Sequence, residues 1–263
     1  MSRTTVGDRL RLEWTLATVV ALLALVAAGT GLAWVAENPT ATRWAVPTAG
    51  VLGFELWFLR RNLDTNHDDA DGDEERDPSP SRYPRLGLPN AVTLLRGGLF
   101  AGVAGFAAVG PAPAYSWVPA LLYGTGVVLD LVDGTLARWR DRTTLLGARL
   151  DMAFDTLGFL VAPVVAVLWG RLPVWYLSLS LARYLFKAGR GWRRRRGKPV
   201  FDLPSSRLRR PLAGLQMGFI TLALTPLLAG DAIEPLAALV LAPSLAVFAR
   251  DYLVVSGRLL RSD

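Results

Sequence analysis

The chain has 263 residues, of which 52% are hydrophobic, and its mean hydropathy is +0.32. It is too apolar for a typical soluble domain and long enough for several membrane spans. The absence of cysteine excludes disulfides, thiol catalysis and cysteine-bound metals. The net charge of +7 comes without any aromatic-basic module, so no nucleic acid is expected among its partners.

Eight apolar segments are predicted to be membrane-spanning helices, two before a polar linker and six after it. They lie near residues 14–35, 44–59, 92–109, 119–138, 145–169, 174–192, 210–228 and 233–255. The first follows several arginines but is longer than the core of a secretory signal, so we expect it to be retained. The predicted fold is an all-α, polytopic membrane helix bundle.

Residues 62–87 are the predicted acidic linker, and the run 62–81 carries eight acidic side chains and one arginine. A block of like charge with Pro and Ser is typical of a solvated, cytoplasmic linker. The alternatives are metal capture or docking onto the basic run 193–196. Just upstream, Glu55 is an isolated acid near the end of the second span, where snorkelling or pairing with Arg60 would accommodate it.

The placement of basic residues predicts which loops lie on the cytoplasmic side of the membrane. If the N-terminus is cytoplasmic, the four external loops contain only Arg43 and Arg171 of the 29 basic residues. This positive-inside bias requires an even number of spans. It predicts a multi-pass protein of the cell membrane that contacts anionic lipids and has its functional residues near the cytoplasmic face.

The third span begins with PNAVTLLR, residues 89–96. Asn90 and Thr93 are three residues apart and share a helix face, where they could face a ligand. The alternative is an ordinary helix start with Asn90 as N-cap.

The fourth and fifth spans carry four aspartates within or beside apolar sequence. Asp130 and Asp133 are three residues apart, and Asp151 and Asp155 are four apart, so each pair lies on one helix face. The polar segment between the spans suits a turn between antiparallel helices that would bring the two faces together. Carboxylates at membrane depth need a partner or a cation, and this ligand set suits Mg²⁺ or Mn²⁺, as one ion or two.

Such ions suit phosphoryl chemistry because they hold phosphate oxygens and neutralise charge on a leaving group. Arg138 could bind a pyrophosphate, and Gly134, Ala137 and Gly147 leave room for a ligand beside the backbone. Three alternatives stay open. The aspartates could cap helices or pair with nearby arginines, line the path of a cation transporter, or belong to an inactive membrane scaffold.

The sixth span ends in a basic stripe, with residues four, three and four apart: Arg183, Lys187, Arg190 and Arg194. Together with Arg207 and Arg210 before the next helix, these side chains could bind a phosphate group. The alternative is a positive-inside anchor, which is favoured for residues 193–196. Arg183 lies deepest among apolar neighbours, so we predict that it binds an anion with Lys187 or Arg207.

From Asp130 to Asp155 the sequence reads DxxDGxxAR, eight residues, then GxxxDxxxD. This pattern resembles the signature of the CDP-alcohol phosphatidyltransferases, integral membrane enzymes that transfer a phosphatidyl-type group from a CDP-linked lipid to an alcohol and release CMP. PNAVTLLR is similar to the start of the first core helix in many members. The resemblance covers roughly residues 88–256 and implies a six-helix catalytic core within 88–263. Residues 1–61 would then be two extra N-terminal transmembrane helices, and 62–87 the linker.

The resemblance also implies roles for individual residues. Two Mg²⁺ or Mn²⁺ ions would be held by Asp130, Asp133, Asp151 and Asp155. Asp155 would also deprotonate the acceptor hydroxyl. The CDP group would be contacted by Gly134, Ala137, Arg138, Gly147, Asn90 and Thr93.

The expected partners follow from the same resemblance. They are a CDP-linked lipid donor, a small polar alcohol acceptor with or without a phosphate, membrane lipids, and a second copy in a homodimer. The acidic linker and the excess of Arg over Lys indicate a salt-adapted source, so the donor lipid could be archaeol-based rather than diacylglycerol-based.

Overall fold

The structure is a computed structural model that describes residues 3–36, 38–67, 83–140, 144–203, 206–228 and 233–259. Side chains are described from residue 6 onward, with those of 132–140 outside the described set. Within these ranges the chain forms helices and short 3-10 turns and contains no strand, so the all-α prediction is confirmed.

Each of the eight predicted spans overlaps one α-helix. These helices are α1 (Arg3–Val35), α2 (Asn38–Asn62), α3 (Gly87–Gly105), α4 (Val118–Arg140), α5 (Leu145–Leu168), α6 (Ser178–Arg195), α7 (Arg209–Ala223) and α8 (Ile233–Val255). Four segments are long and apolar enough to cross a membrane: Val6–Val35, Gly87–Ala108, Leu145–Leu168 and Ile233–Val255. For α2, α4, α6 and α7, spanning stays a prediction.

Helix α1 is apolar on nearly every face. Val20, Leu23 and Val26 are 65%, 64% and 65% exposed, although water would penalise such exposure. A helix that is hydrophobic all round and has few protein neighbours is typical of a membrane span. The exposed apolar surface of α1 is therefore suited to contact lipid.

The chain divides into two compact units, residues 1–161 and 162–263. In the first unit, α1 packs on α2, α2 on α3, and α3 on α4. One apolar core lies where α1, α2, α3 and α5 come together. Its buried members are Leu10, Leu59, Leu63, Leu86, Leu146, Leu150 and Phe154. This core includes side chains from both sides of the predicted linker.

The two ends of the predicted linker are joined to each other. Asn66 is fully buried, and its Nδ2 donates hydrogen bonds to the carbonyl oxygens of Tyr83 at 3.1 Å and Arg85 at 2.8 Å. The carbonyl of His67 accepts a hydrogen bond from the Leu145 N–H at 3.0 Å. The centre of the acidic run, residues 68–82, lies outside the described residues, so its solvated character stays a prediction.

In the second unit, α8 packs against α6 and α7. Gln216 lies at the centre of a buried polar network: it accepts a hydrogen bond from the Tyr176 hydroxyl and donates to Ser244 Oγ and the Val240 carbonyl, both at 2.8 Å. Buried polar groups need such partners, because water cannot replace them in an apolar interior. The network therefore fixes how α7 meets α8.

Close packing of α2 against α3 depends on glycine. The Trp44 Nε1 donates a hydrogen bond to the Gly102 carbonyl at 2.9 Å. A Cβ built at Gly105 would lie 2.3 Å from Thr48 Oγ1 and 2.4 Å from Trp44 Cδ1. These distances leave no space for a methyl group, so the helix contact requires glycine at this position.

We expect Gly105→Ala to destabilise the protein by about 1–3 kcal/mol, the usual cost of forcing an extra methyl group into a packed interior. Gly98→Ala, in the same helix, is the matched control because nothing lies within 4 Å of its Cβ position. Thermal unfolding in detergent should show a lower midpoint for Gly105→Ala alone. Equal midpoints would contradict the packing described for α2 and α3.

Candidate functional site

Three of the four predicted aspartates converge. Asp130 comes from α4, and Asp151 and Asp155 lie one turn apart on α5. One carboxylate oxygen from each lies within 4.8 Å of the other two, an arrangement that could hold a metal ion. Their side chains are 32%, 48% and 24% exposed, so the cluster is accessible to a ligand.

Arg96 of α3 lies among these carboxylates and is itself only 1% exposed. Its Nη1 donates to Asp130 Oδ1, and its Nη2 lies 2.5 Å from Asp151 Oδ1 and 3.1 Å from Asp155 Oδ1. Burying a guanidinium is costly unless anions surround it, and gathering three carboxylates is costly unless a cation joins them. Each therefore compensates for the other.

Arg96, which closes the segment PNAVTLLR, was not among the site residues predicted from sequence. The spacing of residues along α3 nevertheless indicated a role for it. Asn90, Thr93 and Arg96 are successive steps of three along α3, so the arginine falls on the face already assigned to a ligand. Spacing along α3 alone does not show that this face meets the aspartates of α4 and α5, which come from later parts of the chain.

Asn90 and Thr93 are buried and bond to their own helix. Asn90 Nδ2 donates to the Leu86 carbonyl at 2.7 Å, and Thr93 Oγ1 donates to the Pro89 carbonyl at 3.1 Å. Because α3 begins at Gly87, Asn90 is not the N-cap that the alternative interpretation expected. Its contact with a nucleotide stays a prediction.

Gly147 brings α5 close to α3. A Cβ at this position would lie 2.8 Å from Asn90 Oδ1, and the Gly147 N–H donates to Thr144 Oγ1 at 3.0 Å. The missing side chain allows the first turn of α5 to lie against α3. This contact helps to place Asp151, one turn further along α5, within reach of Arg96.

The remaining predicted residues fall into two groups. The backbone of α4 continues through Asp133, Gly134, Ala137 and Arg138, but their side chains are outside the described residues. The second unit contains the proposed phosphate-binding residues Arg183, Lys187, Arg207 and Arg210. Beside them, Arg209 forms an ion pair with the buried Asp251, at 2.7 Å, and this hydrogen bond raises the pKa of Arg209.

The donor set fits a hard divalent cation. All three ligands are carboxylate oxygens, which Mg²⁺ and Mn²⁺ prefer. One guanidinium charge balances only one of three carboxylate charges, so the cluster retains a negative charge that a cation would neutralise. Small shifts of the carboxylates would bring oxygens that are within 4.8 Å of one another to a common ion.

Comparison with known proteins identifies the family. The CDP-alcohol phosphatidyltransferase family model matches residues 86–249, and the chain belongs to this family. The match includes α3, α4 and α5, which provide Arg96 and the three aspartates.

Relatives occur in Mycobacterium tuberculosis strain H37Rv and in Mycobacterium bovis, and both carry the name "Putative cardiolipin synthase". The chain is 36% identical to each over 105 residues, which are 40% of this chain and 48% of the relative. The chain thus spans about half the length of these relatives. No solved structure matches it significantly.

We expect Arg96→Gln to lower stability in a chelator by about 2 kcal/mol, since the three partly exposed carboxylates would lose their shared cation. Arg149→Gln is the control: this exposed arginine of α5 bonds Asn62 Oδ1 at 3.0 Å. Thermal unfolding with EDTA should separate the two variants. Unfolding midpoints that fall equally would show that Arg96 does not balance the cluster.

Proposed function

We propose that the protein is a metal-dependent transferase that moves a phosphatidyl-type group from a CDP-linked lipid to an alcohol and releases CMP. The observation that supports this most directly is the convergence of Asp130, Asp151 and Asp155 within the segment that matches the family. Family membership supplies the class of reaction, and the carboxylate cluster supplies a place for the ions that this reaction requires.

The aspartates hold the ions in this proposal, with Asp133 as the fourth ligand. One or two bound Mg²⁺ or Mn²⁺ ions would bind the pyrophosphate oxygens of the donor and stabilise charge on the leaving CMP. Asp155 accepts the proton of the acceptor hydroxyl, whose oxygen then attacks the lipid-side phosphorus. A new phosphorus–oxygen bond forms to the acceptor, and the bond to CMP breaks.

The nucleotide pocket is proposed to lie beside the aspartates, with walls from α3, α4 and α5. Arg138 neutralises the pyrophosphate, and Gly134 and Ala137 leave space beside α4 for the CDP group. Gly147, Asn90 and Thr93 form the opposite wall, at the contact between α3 and α5.

Two reactions are candidates for the acceptor side. The name of the mycobacterial relatives makes cardiolipin synthesis one candidate reaction for this chain. Transfer to a small alcohol, with or without a phosphate, is the other. Arg183, Lys187, Arg207 and Arg210 would bind a phosphate of the acceptor or of the donor, whether the donor lipid is diacylglycerol- or archaeol-based.

Several wider features are proposed with the activity. All eight helices would span the cell membrane, with the N-terminus and the site at the cytoplasmic face, because basic residues concentrate on that side. Residues 1–61, 62–87 and 88–263 would be the N-terminal helices, the linker and the catalytic domain. By analogy with the family, two copies would form a homodimer.

We expect Asp155→Asn to reduce CMP release from a CDP-linked lipid by at least about 100-fold, because it removes the proton acceptor and one metal ligand. Asp202→Asn is the control, since this aspartate is exposed in a loop of the second unit. The measurement is CMP release with Mg²⁺ or Mn²⁺, using acceptors that include serine, inositol, inositol phosphate, glycerol phosphate and phosphatidylglycerol.

Absence of CMP release with every acceptor would contradict the proposal. Cation flux into liposomes without any CDP-linked lipid would instead indicate a transporter. A correctly inserted protein with neither activity would indicate an inactive scaffold.

We expect Arg183→Gln to raise the KM for a phosphorylated acceptor about tenfold, because one charge-assisted hydrogen bond to the phosphate is lost. The KM for unphosphorylated inositol should stay the same. Arg195→Gln is the control, since this exposed arginine belongs to the basic run at the end of α6. An unchanged KM for phosphorylated acceptors would remove Arg183 from the acceptor site.

A further inference from the structure

The first two helices lie outside residues 86–249, the segment that matches the family, yet they contact its core directly. Glu13 Oε2 of α1 accepts a hydrogen bond from the Leu86 N–H at 2.7 Å, at the entry to α3. Trp14 Nε1 donates to the Leu56 carbonyl at 2.9 Å and so ties α1 to α2. The N-terminal pair is thus built into the unit that contains the aspartates.

Helix α2 also brings a carboxyl group into this interior. Glu55 is 3% exposed, and its Oε1 has no hydrogen-bond partner among the described residues. It therefore does not snorkel toward solvent as the sequence suggested, and Arg60 lies over the Trp14 ring instead, at 4.9 Å from the ring centroid. A buried carboxyl without a partner is costly and calls for a physical explanation.

Glu55 packs against α3, the helix that carries Arg96. A Cβ at Gly97 would lie 3.0 Å from Glu55 Cδ and 2.8 Å from the Phe154 ring. Gly97 follows Arg96 in α3, and Phe154 precedes Asp155 in α5. The glycine leaves the space that the Glu55 carboxyl needs, next to the residues that pair across α3 and α5.

Arg96 has a matching unused donor. A guanidinium offers five N–H groups, and its two terminal nitrogens already contact the aspartates. Its Nε is buried and has no partner among the described residues. The unsatisfied acceptor of Glu55 thus packs at Gly97, and the unsatisfied donor belongs to the preceding residue of α3.

Arg96 and a divalent ion compete for the same oxygens of Asp130, Asp151 and Asp155. This step rests on the function proposed above. When an ion binds, repulsion weakens the contacts of Arg96 with the aspartates. At 1% exposure, Arg96 cannot turn into water without disturbing the packing of α3, so it needs an anion inside the protein.

We propose that Glu55 is a positioning residue that receives the Arg96 guanidinium when a divalent ion occupies the aspartate cluster. Without the ion, Arg96 holds the aspartates together. With it, Arg96 pairs with Glu55, and the aspartate oxygens become available as ligands. Glu55 acts through Arg96 and contacts neither the ion nor the substrate.

The test measures binding of Mn²⁺ alone to the purified full chain in detergent, by electron paramagnetic resonance of the free ion. We expect Glu55→Gln to weaken Mn²⁺ binding about tenfold, the effect of one lost charged pair. Arg96→Gln should strengthen binding, because the competing cation is gone. In the Arg96→Gln background, Glu55→Gln should then have no further effect.

Glu13→Gln is the matched control, since glutamine can still accept the Leu86 N–H, and it should bind Mn²⁺ like the unmodified chain. Glu55→Asp, which keeps the charge but has a shorter reach, should fall between Glu55→Gln and the unmodified chain, and it serves as the test if Glu55→Gln does not fold. Unchanged affinity in a folded Glu55 variant, or the same loss in the Arg96→Gln background, would overturn the role of Glu55.

The two proposals can fail separately. If the unmodified chain binds Mn²⁺ and releases CMP while Glu55→Gln has no effect, only the pairing of Glu55 with Arg96 is wrong. If the unmodified chain binds no Mn²⁺ at millimolar concentration, both the metal-dependent function and this inference are wrong.

Discussion

The structure depends on a balance of charge at one point, where the Arg96 guanidinium lies among three carboxylates. The four groups come from three helices, α3, α4 and α5, so their ionic contacts also determine where these helices meet. Neither the arginine nor the cluster of carboxylates would be stable alone in an apolar setting. The carboxylate cluster can therefore persist without a metal, because the protein supplies a cation of its own.

Small residues make this balance geometrically feasible. Gly147 lets α5 approach Asn90 of α3, and Gly97 leaves space for Phe154 and Glu55. A larger residue at either position would push the helices apart and lengthen the ionic contacts, which weaken with distance. In this part of the chain, the packing of the helices thus sets the lengths of the ionic contacts. The glycines that allow close packing are therefore part of the site.

The presence of each helix could be predicted from sequence, because long apolar runs bounded by polar residues favour helices. α5 illustrates this agreement: residues 145–169 were predicted, and Leu145–Leu168 is observed. The starts of α1 and α2 could not be predicted, since Arg3–Val35 and Asn38–Asn62 begin in polar sequence before the predicted residues 14 and 44. The convergence of Asp130 with Asp151 and Asp155 followed from helical spacing and a short turn. The partner of these aspartates did not, since spacing within one helix cannot show which neighbouring helix covers its face.

Spacing within one helix also could not show that Glu55, from one of the two extra N-terminal helices, packs against α3. Helix α2 contacts α3 at Gly105 through Trp44 and Thr48 and again at Gly97 through Glu55. These contacts are eight residues apart, about 12 Å along the helix. Helix α2 therefore supports much of the length of the helix that carries Arg96. Helices outside the family match can thus alter the site without contacting a substrate, because they determine where its buried arginine can find an anion.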